Sequence, residues 1–338
     1  MAPTIRRLIA WLVVAGVATI AVASAVLYQY AQTPLPLQVQ PPKAFELKAG
    51  SSLRSIARQL VEADVLTEPW RFELIARLRG DAGGIKAGSY EIVSAVTPLE
   101  LLDKLTRGDV VQEQITFVEG WTLRQMRQAL AEHPYVRHDS SILSDAEFLE
   151  RAGVSGYPSG EGLFFPDTYR FNRGASDLDV LRQAREAMQK QLDKLWNSRA
   201  SNLPFKSSYE ALILASIVEK ETGVGADRPL VAAVFVNRLR RGMKLQTDPT
   251  VIYGLGAAFD GDLRKADLQR DTPFNTYTRA GLPPTPIAMP GLAALSATLD
   301  PPHSDALYFV ARGDGTSHFS PSLEEHNRAV DRYQRGRR

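Results

Sequence analysis

The sequence predicts an α+β protein carried on a single membrane-spanning helix, with a small β-α-α-β domain followed by a larger mixed domain that holds an open groove. Three observations carry this prediction. An uncharged apolar run fills the N-terminus, the next stretch passes from strand to helix patterns and back, and the remainder mixes strongly apolar helical runs with turn-rich segments. For 338 residues, a prior of roughly 150 residues per domain gives about two domains. The 40 basic and 38 acidic residues leave a net charge of +2, which argues against a nucleic-acid partner. Without cysteine there is no disulfide, no thiolate metal site and no Cys nucleophile.

From Leu8 to Tyr28 no residue is charged, and no charge appears between Arg7 and Lys43. A bilayer span needs about 20 apolar residues, and this run supplies them. Arg6 and Arg7 flank it on one side, so the positive-inside tendency keeps the N-terminus cytoplasmic. The expected location is the cell inner membrane, single-pass, with everything after residue 30 periplasmic. Ala23-Ser24-Ala25 has the small-x-small form of a cleavage site, so a removed leader is the competing reading. The run exceeds the about 7 to 15 residues of a leader's apolar core, which favours a retained anchor over residues 1–30. The uncharged, Pro-dotted stretch after it makes residues 31–43 a spacer.

Phe45-Glu46-Leu47 reads as a strand, and Gly50-Ser51-Ser52 turns the chain into a helix whose Leu53, Ile56, Ala57 and Leu60 form one apolar stripe. A second helix runs from about Glu68 to Arg79, and Ser89 to Val93 alternates as a strand does. Thr97-Pro98-Leu99-Glu100 is a capping box with proline at the first helical position, opening a helix that ends near Gly108. Residues 44–110 thus make a β-α-α-β unit plus one helix, which resembles the LysM-type glycan-binding modules. Gly120, Leu123, Arg124, Met126 and Leu130 echo Gly50, Leu53, Arg54, Ile56 and Leu60, as shared strand-turn-helix chemistry would produce. The boundary falls between Asp109 and Gln114, a strand follows from Gln114 to Glu119, and residues 111–338 form the larger domain.

Ser208 to Thr222 is a helical run with apolar residues nearly all round, so it is expected to be buried. Its last turn holds Glu219 and Glu221. Two residues on a helix are about 200° apart, so these carboxylates cannot share one site. Glu219 lies over Leu212, Ala215 and Ser216, the last two small enough to leave room for a ligand, whereas Glu221 lies over bulky Leu214, Ile217 and Val218. A carboxyl on an apolar floor has its charged form disfavoured, as a general acid requires. Clustering of both acids at a helix end without function is the alternative at this level. Glu161 to Tyr169, Gln246 to Tyr253, and Asn275-Thr276-Tyr277 before Gly281-Leu282-Pro283-Pro284 combine amides, acids and aromatics, the side chains that grip a sugar's hydroxyl rim and C–H faces. Asp248-Pro249 and Pro166-Asp167 are also ordinary turn signals.

Ala215 to Thr222, Val236-Asn237-Arg238-Leu239, Leu245 to Gly254, Asn275-Thr276-Tyr277 and Gly281 to Pro284, in this order, resemble the YceG-like endolytic murein transglycosylases. The Glu161–Tyr169 block, the anchor and the His318–Asn327 segment fit as well, so the likeness covers nearly the whole chain. The resemblance implies lytic cleavage of the MurNAc-GlcNAc β-1,4 bond in peptidoglycan strands, with the catalytic glutamate falling on Glu219. It implies no cofactor, and work beside the peptidoglycan polymerases (penicillin-binding proteins) that would set strand length. Gln246, Asn275 and Tyr277 are the candidates for gripping sugar or stem peptide, with Tyr169 and Asn237 beside them. Asp248 is the candidate second carboxylate. A water-using muramidase and a noncatalytic wall-binding scaffold are the rival classes. His133, His138, His303, His318 and His326 show no compact metal spacing, so no metal is expected.

Overall fold

The structure is a computed structural model that describes residues 3–36, 42–221 and 225–335. Part of the spacer, Thr222 and the end of the basic tail lie outside the described residues. The chain divides into two compact units, Met1–Glu113 with Phe171–Gly174, and Gln114–Arg170 with Ala175–Arg338.

In the first unit, helix α1 (Pro3–Gln32) carries the apolar run. Within its segment Arg7–Gln32 an 18-residue window reaches a mean hydropathy of 2.3, and among the described residues it is the one helix long and apolar enough to cross a membrane. After it come β1 (Lys43–Leu47), α2 (Leu53–Glu62), α3 (Pro69–Leu78), β2 (Gly88–Ile92) and α4 (Pro98–Arg107). The strands pair antiparallel with Lys43 opposite Ile92 and Leu47 opposite Gly88. Strand alternation sends Phe45, Leu47, Tyr90 and Ile92 to one face, where the apolar stripe of α2 covers them. Ser52 caps α2, and the Thr97–Glu100 capping box opens α4 with both reciprocal bonds made. Gly108, at φ +76°, ends α4 in the left-handed conformation that glycine adopts without strain.

The second unit takes in most of β3 (Gln112–Thr116), then α5 (Leu123–Glu132), α6 (Asp145–Arg151), the first part of β4 (Thr168–Asn172), α7 (Asp177–Asn197), α8 (Ser208–Glu221), α9 (Arg228–Arg240), α10 (Asp248–Leu255), α11 (Lys265–Gln269), α12 (Leu292–Leu299), the antiparallel hairpin β5 (Tyr308–Ala311) and β6 (Ser317–Ser320), and α13 (Leu323–Val330). Strand β3 pairs with β4 and begins two residues before the expected position, covering Gln112–Thr116 rather than Gln114–Glu119. The described sheets are two-stranded, so helices bury most of the core. Helix α8 is central, packed by α7, α9, α10 and α12, which is why its sequence is apolar nearly all round. Leu214, Ile217 and Val218 of α8 meet Val231, Phe235 and Val236 of α9 and Ala294 and Ala297 of α12.

Candidate active site at the end of α8

The last turn of α8 is crossed by the loop that leads into α12. Ser216 Oγ donates to the Ile213 carbonyl (2.7 Å) and accepts the Ile287 N–H (3.0 Å), pinning this loop to the helix. At the loop's end Gly291, the N-cap of α12, donates its N–H to Glu219 Oε2 at 2.9 Å. The space over Ser216, expected to admit a ligand, is instead met by the protein's own backbone at Ile287. A small serine suits that place because its hydroxyl both fits under the loop and bonds to it. A second turn, Glu119 to Trp121, is laced to the loop by Gly120 N–H to the Met289 carbonyl (2.8 Å) and Met289 N–H to the Trp121 carbonyl (2.7 Å). Lys220 Nζ donates to the Gly120 carbonyl at 3.3 Å.

The Glu219 side chain is only 7% exposed, and Arg228 Nη2, at the start of α9, lies 3.8 Å from its Oε1. Burial raises the Glu219 pKa above the ordinary carboxylate range, and the charge of Glu119 adds to the rise. The Gly291 N–H, Arg228 and Lys220 oppose it without cancelling it. Glu119 lies directly on Gly291, where an added Cβ would fall 1.9 Å from Glu119 Oε1, so only glycine fits beside that carboxyl as placed. The N-terminus of α12 therefore holds one acid by its N–H and a second against its α-carbon, as the positive end of a helix favours.

Glu221 faces elsewhere. Its Oε2 accepts the Thr247 hydroxyl (2.6 Å), and burial, then the charge of Asp248, raises its pKa. Glu221, Gln246 and Tyr277 line one cavity of about 310 Å³ together with Arg238, Tyr308 and His326. Gln246 sits at φ +51°, an unusual backbone for a non-glycine residue, with its N–H bonded to the Thr276 carbonyl at 3.1 Å. Asp248 opens α10 and accepts the Tyr277 hydroxyl at 2.5 Å.

The remaining expected residues are structural in their contacts. Asn275 is fully buried, its amide donating to the Asp267, Leu268 and Arg270 carbonyls and its oxygen accepting the Tyr277 and Thr278 N–H groups. No polar atom is left for a sugar, and its work is to shape the loop that presents Tyr277. Tyr169 is buried with its hydroxyl on the Phe165 carbonyl (2.7 Å) and its ring against Phe117. Asn237 ties α9 to the Ser304 and Ala306 carbonyls and lines a different cavity, with Arg240 and His303.

Sequence reasoning missed Glu119, Arg228, Arg238, Gly291 and the weight of Glu161. Glu161 is 5% exposed, accepts the Leu123 N–H (2.9 Å) and the Tyr253 hydroxyl (3.1 Å), and burial pushes its pKa up to about 7. An isolated Glu before Gly-Trp, as at Glu119, carried the signal of a turn and nothing more. Among the described residues no group of three or more His, Asp or Glu is arranged to hold a metal ion.

Glu219 is thus a largely buried carboxyl with raised proton affinity, in contact with one backbone N–H and one guanidinium, which is the chemistry a general acid requires. Residues 45–332 match the YceG-like family, and the chain belongs to it. It is 34% identical over 307 residues to an endolytic murein transglycosylase of Bacillus subtilis, covering 85% of this chain and 83% of the relative. It is 29% identical over 315 residues to an endolytic murein transglycosylase of Streptococcus pneumoniae, covering 83% of this chain but only 56% of that longer relative. A 2.6 Å crystal structure of a yceG-like protein from Listeria monocytogenes aligns with a TM-score of 0.52 at 30% identity, over 84% of this chain and 97% of the other.

Proposed function

We propose that this protein is an endolytic lytic transglycosylase of peptidoglycan, held at the membrane by α1, in which Glu219 is both general acid and general base. The observation that carries the reading is the Glu219 carboxyl itself, buried, raised in pKa and held by the Gly291 N–H. The names of the Bacillus and Streptococcus relatives support the substrate class. In the first step the Glu219 carboxyl gives its proton to the glycosidic oxygen as the MurNAc C1–O bond to GlcNAc breaks. The resulting carboxylate then takes the proton of the MurNAc C6 hydroxyl, whose oxygen closes on C1. The product is a 1,6-anhydro end, water is not consumed, and the enzyme finishes as it began, protonated. Asp248, the candidate second carboxylate, is bonded to the Tyr277 hydroxyl and neighbours Glu221 rather than Glu219, so this reading gives it no part in the proton transfers.

The rest of the reading is supported by the β-α-α-β pattern, the Arg6–Arg7 flank of the apolar run and the family resemblance. Residues 44–110 form a LysM-like module that binds glycan, residues 111–338 form the catalytic domain with an open groove, and cutting of nascent strands beside the polymerases sets their length. The N-terminus is cytoplasmic and the remainder faces the periplasm.

Glu119 favours a second reading. A hydrolase normally pairs two carboxyls, and Glu119 stands against the same glycine that holds Glu219. Mass spectrometry of products from intact peptidoglycan separates the two. The transglycosylase leaves anhydro ends, lighter by one water than the reducing ends that a muramidase would leave.

A further inference from the structure

The cavity on the Glu221 face contains a buried guanidinium that, among the described residues, forms no salt bridge. Arg238 is 8% exposed, and its Nε donates to the Leu307 carbonyl (2.7 Å) while Nη1 donates to Leu245 (2.7 Å) and Lys244 (3.4 Å). Tyr308 lies 5.1 Å from its Cζ. Among the described residues no carboxylate forms a salt bridge with this guanidinium, and Nη2 has no hydrogen-bond partner. Three backbone carbonyls and a ring therefore fix the group in place while its second nitrogen is left open. His326 stacks on the same Tyr308 ring (centroids 5.2 Å apart), and its Nδ1 is buried without a partner. Gln246 lines the cavity from a backbone conformation that is strained for glutamine, a feature that clusters at binding sites.

Burying a guanidinium without a neutralising anion is costly, and that cost is recovered when an anion arrives. Glu221 lines the same cavity and its charge acts on Arg238, but its Oε2 is held by the Thr247 hydroxyl and no salt bridge joins the two side chains. Neutral GlcNAc cannot supply the charge, whereas the stem peptides on MurNAc carry carboxylates. A volume of about 310 Å³ suits a peptide end and is small for a disaccharide. We infer that this cavity is a subsite for a stem-peptide carboxylate of the murein strand, bound by Arg238 Nη2 with His326 and Gln246 beside it. This rests on the peptidoglycan reading above, and it makes the enzyme a reader of peptide as well as glycan.

The test is calorimetric titration of the full chain in detergent, carrying Glu219→Gln so that ligand is not consumed. The ligands are a disaccharide-pentapeptide and the same compound with its carboxyls amidated. The free acid is expected to bind at least about tenfold more tightly, as loss of one charge-assisted pair implies. Arg238→Gln should abolish the difference. Because Arg238 also anchors three carbonyls, His326→Phe provides a gentler check that keeps the stacking on Tyr308. It should weaken the acid about threefold and leave the amidated ligand unchanged. Equal binding of acid and amidated ligands by the unaltered cavity would overturn the subsite. Inorganic phosphate that binds without displacing the acid ligand would do the same. The two proposals fail separately. A protein that prefers the acid but with Glu219 intact cuts no murein retains the subsite and loses the transglycosylase reading, and one that cuts murein but binds both ligands equally does the reverse.

Discussion

Glu219 and Glu221 stand two residues apart on one helix, and both are raised in pKa by burial, yet they face different chemistry. Glu219 meets a backbone N–H at the start of α12 and a guanidinium 3.8 Å away, groups that can stabilise the charged form without locking the side chain in a network. Glu221 accepts a short bond from Thr247, whose own N–H binds the Thr276 hydroxyl, which in turn meets Thr250. A carboxyl that must release and regain a proton suits the first setting; a carboxyl inside a hydroxyl network suits the second, where it fixes the cavity wall. The difference teaches that burial alone does not mark a catalytic acid. On the proposed reading, what marks it is burial combined with partners that tolerate both protonation states.

Glu161, another buried acid, sharpens that comparison and has the largest expected effect on stability. Its pKa rises on folding from the ordinary 4.5 to about 7, so the folded state binds the extra proton and is favoured by it at low pH. Stability from this group is therefore full below pH 4.5 and falls as pH rises toward and past 7, by on the order of 3 kcal/mol. Glu161→Gln should flatten that slope in urea unfolding curves taken across the range. A smaller effect is expected from Glu221→Gln, which keeps a neutral acceptor for Thr247. KM should rise about threefold with kcat nearly unchanged, the pattern of lost ground-state binding. A collapse of kcat instead would break the distinction between the two faces. Smallest is the effect of Glu119→Gln. Removing that charge lowers the Glu219 pKa, so the alkaline limb of the kcat/KM profile, where the acid loses its proton, should move to lower pH. Gly291→Ala should shift it the same way, because its methyl displaces the Glu119 carboxyl.

Much of the fold was legible because local rules govern it. The stripe of Leu53, Ile56, Ala57 and Leu60, the alternation at Ser89 to Ile92 and the Thr97–Glu100 box each specify an element without distant help. Glu219 stood out only as one of two acids at the end of an apolar helix, and the choice between them leaned on the helical rotation and on the resemblance. What sequence could not supply were contacts across long separations. Gly291 meets Glu219 from 72 residues away, and Glu119 acts on both from the far side of that glycine. Asn275 misled for the same reason, since an amide beside a tyrosine reads as a sugar grip until its partners are seen to be backbone carbonyls. Ser216 misled likewise, its small size making room for a loop rather than a substrate.

The central claim is that one carboxyl performs both proton transfers, and Glu219→Gln tests it most directly. The full-length variant in detergent, checked for an unchanged unfolding temperature, is incubated with peptidoglycan beside the unaltered protein, and new anhydro ends are counted. The amide can neither give nor take the proton, so the rate should drop by about a thousandfold or more. Release of anhydro ends at the unaltered rate would contradict the account.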